Sequence, residues 1–412
     1  MKLLFRKSRV CGVALAFAGL VLFFQNCAAP VMFNSLEANG SSNTSSNNQT
    51  PKYFFTYQSF DAYQDQMAFG SKDSKNLDGG TQVLCKGNYA QSTSLDQAAY
   101  LDSRKTDGMI VKYFNDGKNI AVVSRVYEVG IDINSRKYYV WFLDQNCQKV
   151  SGPFIVQGDR EYRSIASYGD TVILAVRDKV NYGKVELNIF KNFSLYKTID
   201  YFNDTSCSND LMLTSLDNGN FLFSCQGGQN DPLKISLMDS EGSMIGAIKN
   251  VDGTAGHSSF YQSYSVGFNH SGTIGVVWVS LSDLSIHLAT YDTNLNLMNS
   301  VVVEDHSADS TTALDRFFGY DSFRDLDLTF EIQSRSSGEF YIPACWQDQD
   351  KARCLKLYDA NGNFIKKIDL NTKLKSQAKI SNDLDFREVR SQDHALYIFD
   401  GGGIRVEESD MP

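Results

Sequence analysis

Few residues in this chain have the means to act on another molecule. Trp346-Gln-Asp348-Gln-Asp350 sets two carboxylates two positions apart beside an indole. Paired carboxylates can serve as general acid and base at a glycosidic bond, although an Asp-rich loop tip is equally ordinary solvated surface. The stretch from Glu304 to Asp325, EDHSADSTTALDRFFGYDSFRD, gathers His306, Arg316, Phe317, Phe318, Tyr320 and Arg324. Aromatic side chains and Arg on a loop suit a contact surface; the plainer reading is that the aromatics pack over the chain's own strands. His257, in VDGTAGHSSFYQSY, is a third candidate. We take His257, Arg316, Phe317, Phe318, Tyr320, Arg324, Trp346 and Asp348 as candidate ligand or partner contacts, and assign no catalytic residue.

Other chemistries find no support. Asp359-Ala-Asn361-Gly-Asn363 has a faint likeness to a calcium loop, but its Gly falls at the fourth place and no Glu stands at the twelfth. It reads as turn chemistry. There are 5 His among 412 residues, and no HExxH, nucleophile elbow or Gly-rich phosphate loop. No CxxC or Cys/His cluster has metal-ligand spacing. No cofactor and no metal is implied.

The elements that would position these residues are strands. Ala352 to Asn371, ARCLKLYDANGNFIKKIDLN, holds two runs with apolar residues at alternate positions, joined by Asp359-Ala360-Asn361-Gly362. Alternation at period two marks a half-buried strand, and an Asp followed three residues on by Gly marks a tight turn. The hairpin recurs around Asp144, Asp239 and Asp292, and more weakly with Lys191 in the Asp position. A second hairpin type precedes each copy, with turns at Asn115-Asp116-Gly117, Tyr168-Gly169-Asp170, Asp217-Asn218-Gly219, His270-Ser271-Gly272, Ser336-Ser337-Gly338 and Ser391-Gln392-Asp393. Successive turns are 52, 50, 53, 66 and 55 residues apart. Each is followed by an apolar run such as NIAVVS, TVILAV or IGVVWV, which predicts a strand buried on both faces.

Four strands per unit, repeated at about 50 residues, is the pattern of a β-propeller blade. We read an all-β propeller of six four-stranded blades over residues 109–412, with seven as the alternative, since LDGGTQVLCKG from Leu77 resembles LDNGNFLFSCQG from Leu216. Residues 52–108 are read as an N-terminal extension. It is partly helical from Ser94, where Leu95, Ala98, Ala99 and Leu101 follow a Ser cap. The last unit lacks a fourth strand, which Lys52–Tyr57 or Thr81–Cys85 is expected to supply. The widest spacing, 66 residues, places the Glu304–Asp325 insertion in the loop entering the fifth blade.

Composition agrees: aromatic content is 12%, with 27 Phe and 21 Tyr, residues that fit a pleated, half-buried surface. Net charge is −9. The first 26 residues carry Lys2, Arg6, Lys7 and Arg9 and no acid, so removing them leaves −13. Such a chain repels phosphate backbones, and nucleic acid is excluded as a partner.

Residues 1–27, MKLLFRKSRVCGVALAFAGLVLFFQNC, place a basic start before an apolar run from Val10 to Phe24, with Cys27 just beyond. Fifteen residues is a signal-peptide length and short of a spanning helix. The segment resembles a bacterial lipoprotein signal with a variant lipobox, Gln25 and Asn26 standing where small residues are usual. That resemblance implies cleavage before Cys27, its acylation, and attachment to a membrane; Ala28 after the Cys resembles lipoproteins sorted to the outer membrane. The tract NGSSNTSSNNQ from Asn39 to Gln49 reads, within a linker over 27–51, as flexible coil that holds a folded domain off the membrane.

Without Cys11 and Cys27, six cysteines remain in an exported chain, where disulfides persist. They allow 15 pairings. The repeat favours Cys345 with Cys354 across a hairpin and Cys207 with Cys225 on one face, which leaves Cys85 with Cys147. The expectation is thus a lipid-anchored propeller of the cell envelope that binds or scaffolds an envelope protein or surface polymer. A glycan-acting enzyme using the acidic loop residues is the alternative.

Overall fold

A computed structural model describes residues 55–63, 66–73, 81–86, 97–102, 104, 106–126, 137–156, 160–178, 184–203, 207, 211–226, 231–254, 264–280, 285–305, 332–334, 337–344, 354–369, 388–392, 395–399 and 404–407. They form seven antiparallel sheets, each built from consecutive strands. Sheet 1 is β1 (Phe55–Tyr63), β2 (Gln66–Asp73), β3 (Thr81–Lys86) and β4 (Gln97–Asp102). Sheet 2 is β5 (Thr106–Tyr113), β6 (Asn119–Val126), β7 (Lys137–Asp144) and β8 (Lys149–Ile155). Sheet 3 is β9 (Arg160–Tyr168), β10 (Thr171–Asp178), β11 (Lys184–Lys191) and β12 (Ser194–Asn203). Sheet 4 is β13 (Leu211–Ser215), β14 (Phe221–Cys225), β15 (Lys234–Met238) and β16 (Met244–Asn250). Sheet 5 is β17 (Tyr264–Phe268), β18 (Thr273–Ser280), β19 (Ser285–Asp292) and β20 (Leu297–Asp305). Sheet 6 is β21 (Gln333–Ser334), β22 (Phe340–Ala344), β23 (Cys354–Tyr358) and β24 (Phe364–Asp369). Sheet 7 has three strands, β25 (Glu388–Gln392), β26 (Ala395–Phe399) and β27 (Ile404–Glu407).

The first strands define a ring. β1 lies beside β5, β5 beside β9, and so on through β13, β17, β21 and β25, which returns to β1. Hydroxyls stitch these inner strands together. Ser164 Oγ accepts the Leu213 N–H at 2.9 Å, Thr214 donates to the Val266 carbonyl at 3.3 Å, and Ser265 Oγ accepts the Ile332 N–H at 2.9 Å.

The core lies between sheets. In β10, Val172, Leu174 and Val176 pack with sheet 2, whereas Ile173 and Ala175 pack with sheet 4. In β6, Ile120, Val122 and Val126 face sheet 1, whereas Ala121 and Val123 face sheet 3. The strand period of two sends alternate side chains to opposite neighbours. This is why the second strand of each unit reads as a continuous apolar run. Close approach uses glycine at one junction: a Cβ on Gly275 would sit 2.7 Å from Ile332 Cδ1 and 3.0 Å from Phe340 Cε1.

Both hairpin types form as expected. Gly117, Gly169, Gly219, Gly272 and Gly338 all take positive φ in the first-to-second-strand turns. In the Asp turns, the carboxylates of Asp144, Asp239, Asp292 and Asp359 each accept two backbone N–H groups, two and four residues on, at 2.8–2.9 Å. The residue three beyond the Asp is left-handed: Cys147, Gly242, Leu295 and Gly362, with φ of 59, 77, 62 and 78°. Leu295 and Cys147 stand where Gly is expected because their side chains are used, one in the core and one in a disulfide.

Three expectations need correction. The sheets follow the alternative count of seven, because residues 55–102 form a complete sheet, not an extension. The helix expected from Ser94 is strand β4: Ala98 and Ala99 pair with Leu84 and Val83, and cross-strand pairing overrides alanine's helical preference. Of the two proposed closing strands, Thr81–Cys85 is paired on both sides within sheet 1; of Lys52–Tyr57, residues 55–57 belong to β1 and pair with β2, and Lys52–Phe54 lie outside the described residues.

Candidate functional site

The antiparallel path gives the ring two unlike faces. Turns joining first to second and third to fourth strands open on one face, here the turn face. Connections from second to third strands, and from each sheet to the next, open on the other, the loop face. The loop-face connections between sheets run from 3 residues, between β4 and β5, to 27, between β20 and β21. By topology, His257 falls in the connection from β16 to β17. Arg316, Phe317, Phe318, Tyr320 and Arg324 fall between β20 and β21, and Trp346 and Asp348 between β22 and β23. All eight lie outside the described residues.

The described part of the loop face holds a polar cluster at the junction of sheets 1 and 2. Thr81 is paired with Asp102 across β3–β4, and Ser124 with Tyr139 across β6–β7. The Thr81 and Ser124 hydroxyls share a buried hydrogen bond of 2.7 Å. Arg104, in the three-residue connection, donates from Nε to Asp102 Oδ1 at 2.9 Å and from Nη2 to Oδ2 at 2.5 Å. Its Nη1 donates to the Tyr139 hydroxyl at 2.7 Å, and its guanidinium carbon lies 4.2 Å from that ring's centroid. Burial pushes the Asp102 carboxyl up, but the hydrogen bonds and charge of Arg104 outweigh it, and the group ends below the ordinary carboxylate value. The Asp102 hydrogen bond in turn raises Arg104. With Arg104 bonded to Asp102 and to the buried Tyr139, the cluster fastens two sheets. The sequence reading missed it, since Asp102 and Arg104 sat in the segment taken as helix. The one available signal was an Asp-x-Arg step at the end of an alternating QAAYLD run.

Disulfides secure both faces. Cys207–Cys225 closes the entry to sheet 4 on the loop face, with Cα atoms 5.1 Å apart. Cys85–Cys147 joins β3 to the Asp144 turn of sheet 2, with Cα atoms 5.7 Å apart. Both are the expected pairs. Cys354 is also disulfide-bonded; its expected partner, Cys345, lies outside the described residues.

The turn face is a run of sheet-to-sheet fastenings. Gly169 N–H donates to Asn115 Oδ1 at 2.9 Å, and the Tyr168 hydroxyl to the Asp217 carbonyl at 2.7 Å. His270 Nδ1 meets Asp217 Oδ1 at 2.7 Å, and Asn269 Nδ2 donates to the Gly338 carbonyl at 2.5 Å. Farther out, Glu241 bridges Lys191 and Lys197. Lys249 Nζ donates to the Leu295 carbonyl at 2.8 Å, and Asn299 to the Asn361 carbonyl at 2.8 Å. The Asp359 carboxylate is occupied by its own turn: Oδ1 takes the Asn361 and Asn363 N–H groups and Oδ2 the Asn363 amide at 2.9 Å. Burial alone would raise this carboxyl, but those hydrogen bonds bring it below the ordinary value. Among the described residues no cluster of His, Cys, Asp or Glu could hold a metal ion.

Seven radially packed antiparallel sheets closed into a ring define a β-propeller. The fold recurs in solved structures of very different sequence. A puromycin-hydrolyzing peptidase of Mycobacterium tuberculosis matches over 86% of this chain and 51% of its own, with a TM-score of 0.53 and 10% identity. A prolyl endopeptidase matches over 86% and 48%, with a TM-score of 0.52 and 8% identity. The β-propeller domain of the Trilobed protease from Pyrococcus furiosus matches over 86% of this chain and 97% of its own, at a TM-score of 0.47 and 9% identity. The chain thus spans about half the length of the two peptidases. No protein-family model and no curated protein matches it.

Proposed function

We propose that this protein is a lipid-anchored, extracytoplasmic β-propeller that binds an envelope protein or a surface polymer through its loop face. The observation that carries the reading is the division of labour between the faces. Apart from the connection between β3 and β4, the turn face is made of short turns, and several of their polar groups are engaged with neighbouring sheets. The loop face carries the long connections, and with them every contact candidate of the sequence. Rigid scaffolds place recognition on such connections. Two disulfides point to an extracytoplasmic location. Among the described residues no helix is long and apolar enough to cross a membrane, and the membrane link in this reading is acylated Cys27, with the outer membrane as its site.

The experiment is cross-linking capture from envelope membranes with the full chain. A partner should be recovered by the native protein and lost with Arg316→Ala/Tyr320→Ala, while the melting temperature is unchanged. Recovery of the same material by that variant sinks the loop-face assignment. Turnover of a glycoside that Asp348→Asn abolishes would replace binding with catalysis.

A further inference from the structure

Every large hydrophobic side chain that is exposed among the described residues lies on a fourth strand, on β8, β12, β16, β20 or β24. Fourth strands are the outermost of their sheets, so some exposure there is ordinary. The placement within the strand is more specific. In four of these strands the ladder to the third strand skips one residue just past the turn: Val150 in β8, Tyr196 in β12, Met298 in β20 and Ile365 in β24. A bulge re-aims one side chain and blunts an edge against strand pairing. All four skipped residues are large and apolar or aromatic, and all four are 45–54% exposed. In β16 the ladder also shifts after Ile245, and Ile245 is exposed at the equivalent place.

A bulge does not need an apolar side chain to form, and solvent alone favours a polar one. These five sites hold one position in successive sheets, so a ring of like units carries them at one level, around the outer margin of the turn face. A globular partner meets such a convex margin at one or two sheets. A flat surface laid on the turn face meets all five. The charges beside the margin offset one another. Glu241 is bound by Lys191 and Lys197, and the Asp359 turn is followed by Lys366 and Lys367. Contact therefore rests on the apolar side chains, as at a lipid interface. The Tyr196 ring has Lys191 Nζ at 4.6 Å and Lys197 Nζ at 5.7 Å from its centroid, an aromatic flanked by ammonium groups, which suits a headgroup layer.

We propose that the outer margin of the turn face rests on a lipid surface, with Val150, Tyr196, Ile245, Met298 and Ile365 entering the headgroup layer. The inference rests on the lipid-anchor reading for the membrane it meets. Between Cys27 and Phe55 stand 27 residues, which span at most about 95 Å. A strand of ten residues, the length of β12, spans about 33 Å. The tether thus allows either face to meet the membrane, and the margin selects the turn face. The loop face then points away from the membrane.

The test uses the acylated full chain on phosphatidylcholine vesicles that contain a nitroxide lipid. A fluorophore on Asn294→Cys, in the turn before β20, should be quenched about twofold or more above one on Asn250→Cys, at the loop-face end of β16, as seating in the headgroup layer requires. Tyr196→Asp/Met298→Asp/Ile365→Asp should equalise the two while the melting temperature holds. Equal quenching in the native chain, or a preference that the triple variant leaves unchanged, overturns the proposal. Should that variant fail to fold, Ser at the same three positions gives the same readout. The preference should survive about 0.5 M salt, which screens exposed charges; its collapse there would assign the contact to charge and overturn the apolar basis. A concentration-dependent dimer that the triple variant abolishes, without preferential quenching, would give the margin to a second copy of this chain instead. The mass of the mature chain reads the lipid anchor separately. With residues 1–27 replaced by hexahistidine, a nickel-chelating lipid serves as the tether and the same quenching order is expected, so a failed anchor and a failed margin give different results.

Discussion

The two faces of the ring are built from the same strands and differ in almost everything else. On the turn face, connections are two to five residues long, apart from ten residues between β3 and β4, and several polar side chains are hydrogen-bonded to the neighbouring sheet. Asn115, Asp217, Asn269, Lys249 and Asn299 all reach across a junction there. On the loop face, the inter-sheet connections vary ninefold in length, and the described fastenings are Arg104, the Cys207–Cys225 bond and a few bonds between strand ends, such as Ser265 with Ile332 and Ser224 with Tyr264. One end of each strand is thus committed to holding the ring, which leaves the other end open to variation. Changes on the turn face should therefore cost stability and spare recognition. Changes on the loop face should do the reverse.

The largest expected effect tests the first half of that contrast. Replacing Cys85 and Cys147 with Ser opens a cross-link of 62 residues and should cost about 4 kcal/mol by loop entropy. Opening Cys207–Cys225, with a separation of 18, should cost about 3 kcal/mol. Chemical denaturation of the two variants checks the order; equal or inverted losses would show that the loop-face bond carries more than its loop length. Next comes Gly242→Ala, at a φ of +77°, where the new Cβ would meet Ile199 Cδ1 at 2.5 Å. A left-handed penalty and overpacking together should cost about 2 kcal/mol, read as a lower melting temperature with partner capture intact.

Asp359→Ala removes the acceptor of two backbone N–H groups and should cost about 1 kcal/mol, again without loss of binding. The smallest effect is acidic. Asp102, Asp292 and Asp359 are each held below the ordinary value of 3.8. Burial raises all three carboxyls; Arg104 for the first, and turn hydrogen bonds for the others, lower them further. A depressed carboxyl stabilises the fold fully above its unfolded value and loses that contribution as pH falls through the folded one. Melting temperature should therefore decline below about pH 4, and Asp359→Asn should shallow that decline. An identical acid profile for the variant would show that the turn carboxylate is not a source of the acid sensitivity.

Much of this was legible in the chain. The positive φ at Gly117 and Gly219 is what an Asp–Gly or Asn–Gly turn between alternating runs requires, and Gly272 takes it after Ser271, so the turn face was readable by local chemistry. The double burial of NIAVVS and TVILAV was readable for the same reason. Sheet 1 was misjudged where local and long-range preferences conflict. Ala98, Ala99 and Leu101 are good helix formers, and only the pairing of β4 with β3 makes them a strand. The Asp102–Arg104–Tyr139 cluster was hidden because it joins residues 35 apart in sequence, and no local pattern records such a meeting. The contact candidates are single side chains on long connections, where the sequence carries no periodicity to fix their arrangement.

The interleaving of each second strand between two neighbours has a further consequence. Odd and even positions of β10 belong to different interfaces, so the strand works as a two-sided zipper whose parity matters more than its composition. Inserting one residue near Thr171 would keep every hydrophobic side chain yet turn those matched to sheet 2 toward sheet 4, and the reverse. Inserting two would restore the assignment and displace only the register. Tolerance of length change in this ring should thus follow an even–odd rule along the second strands and no such rule in the loop-face connections.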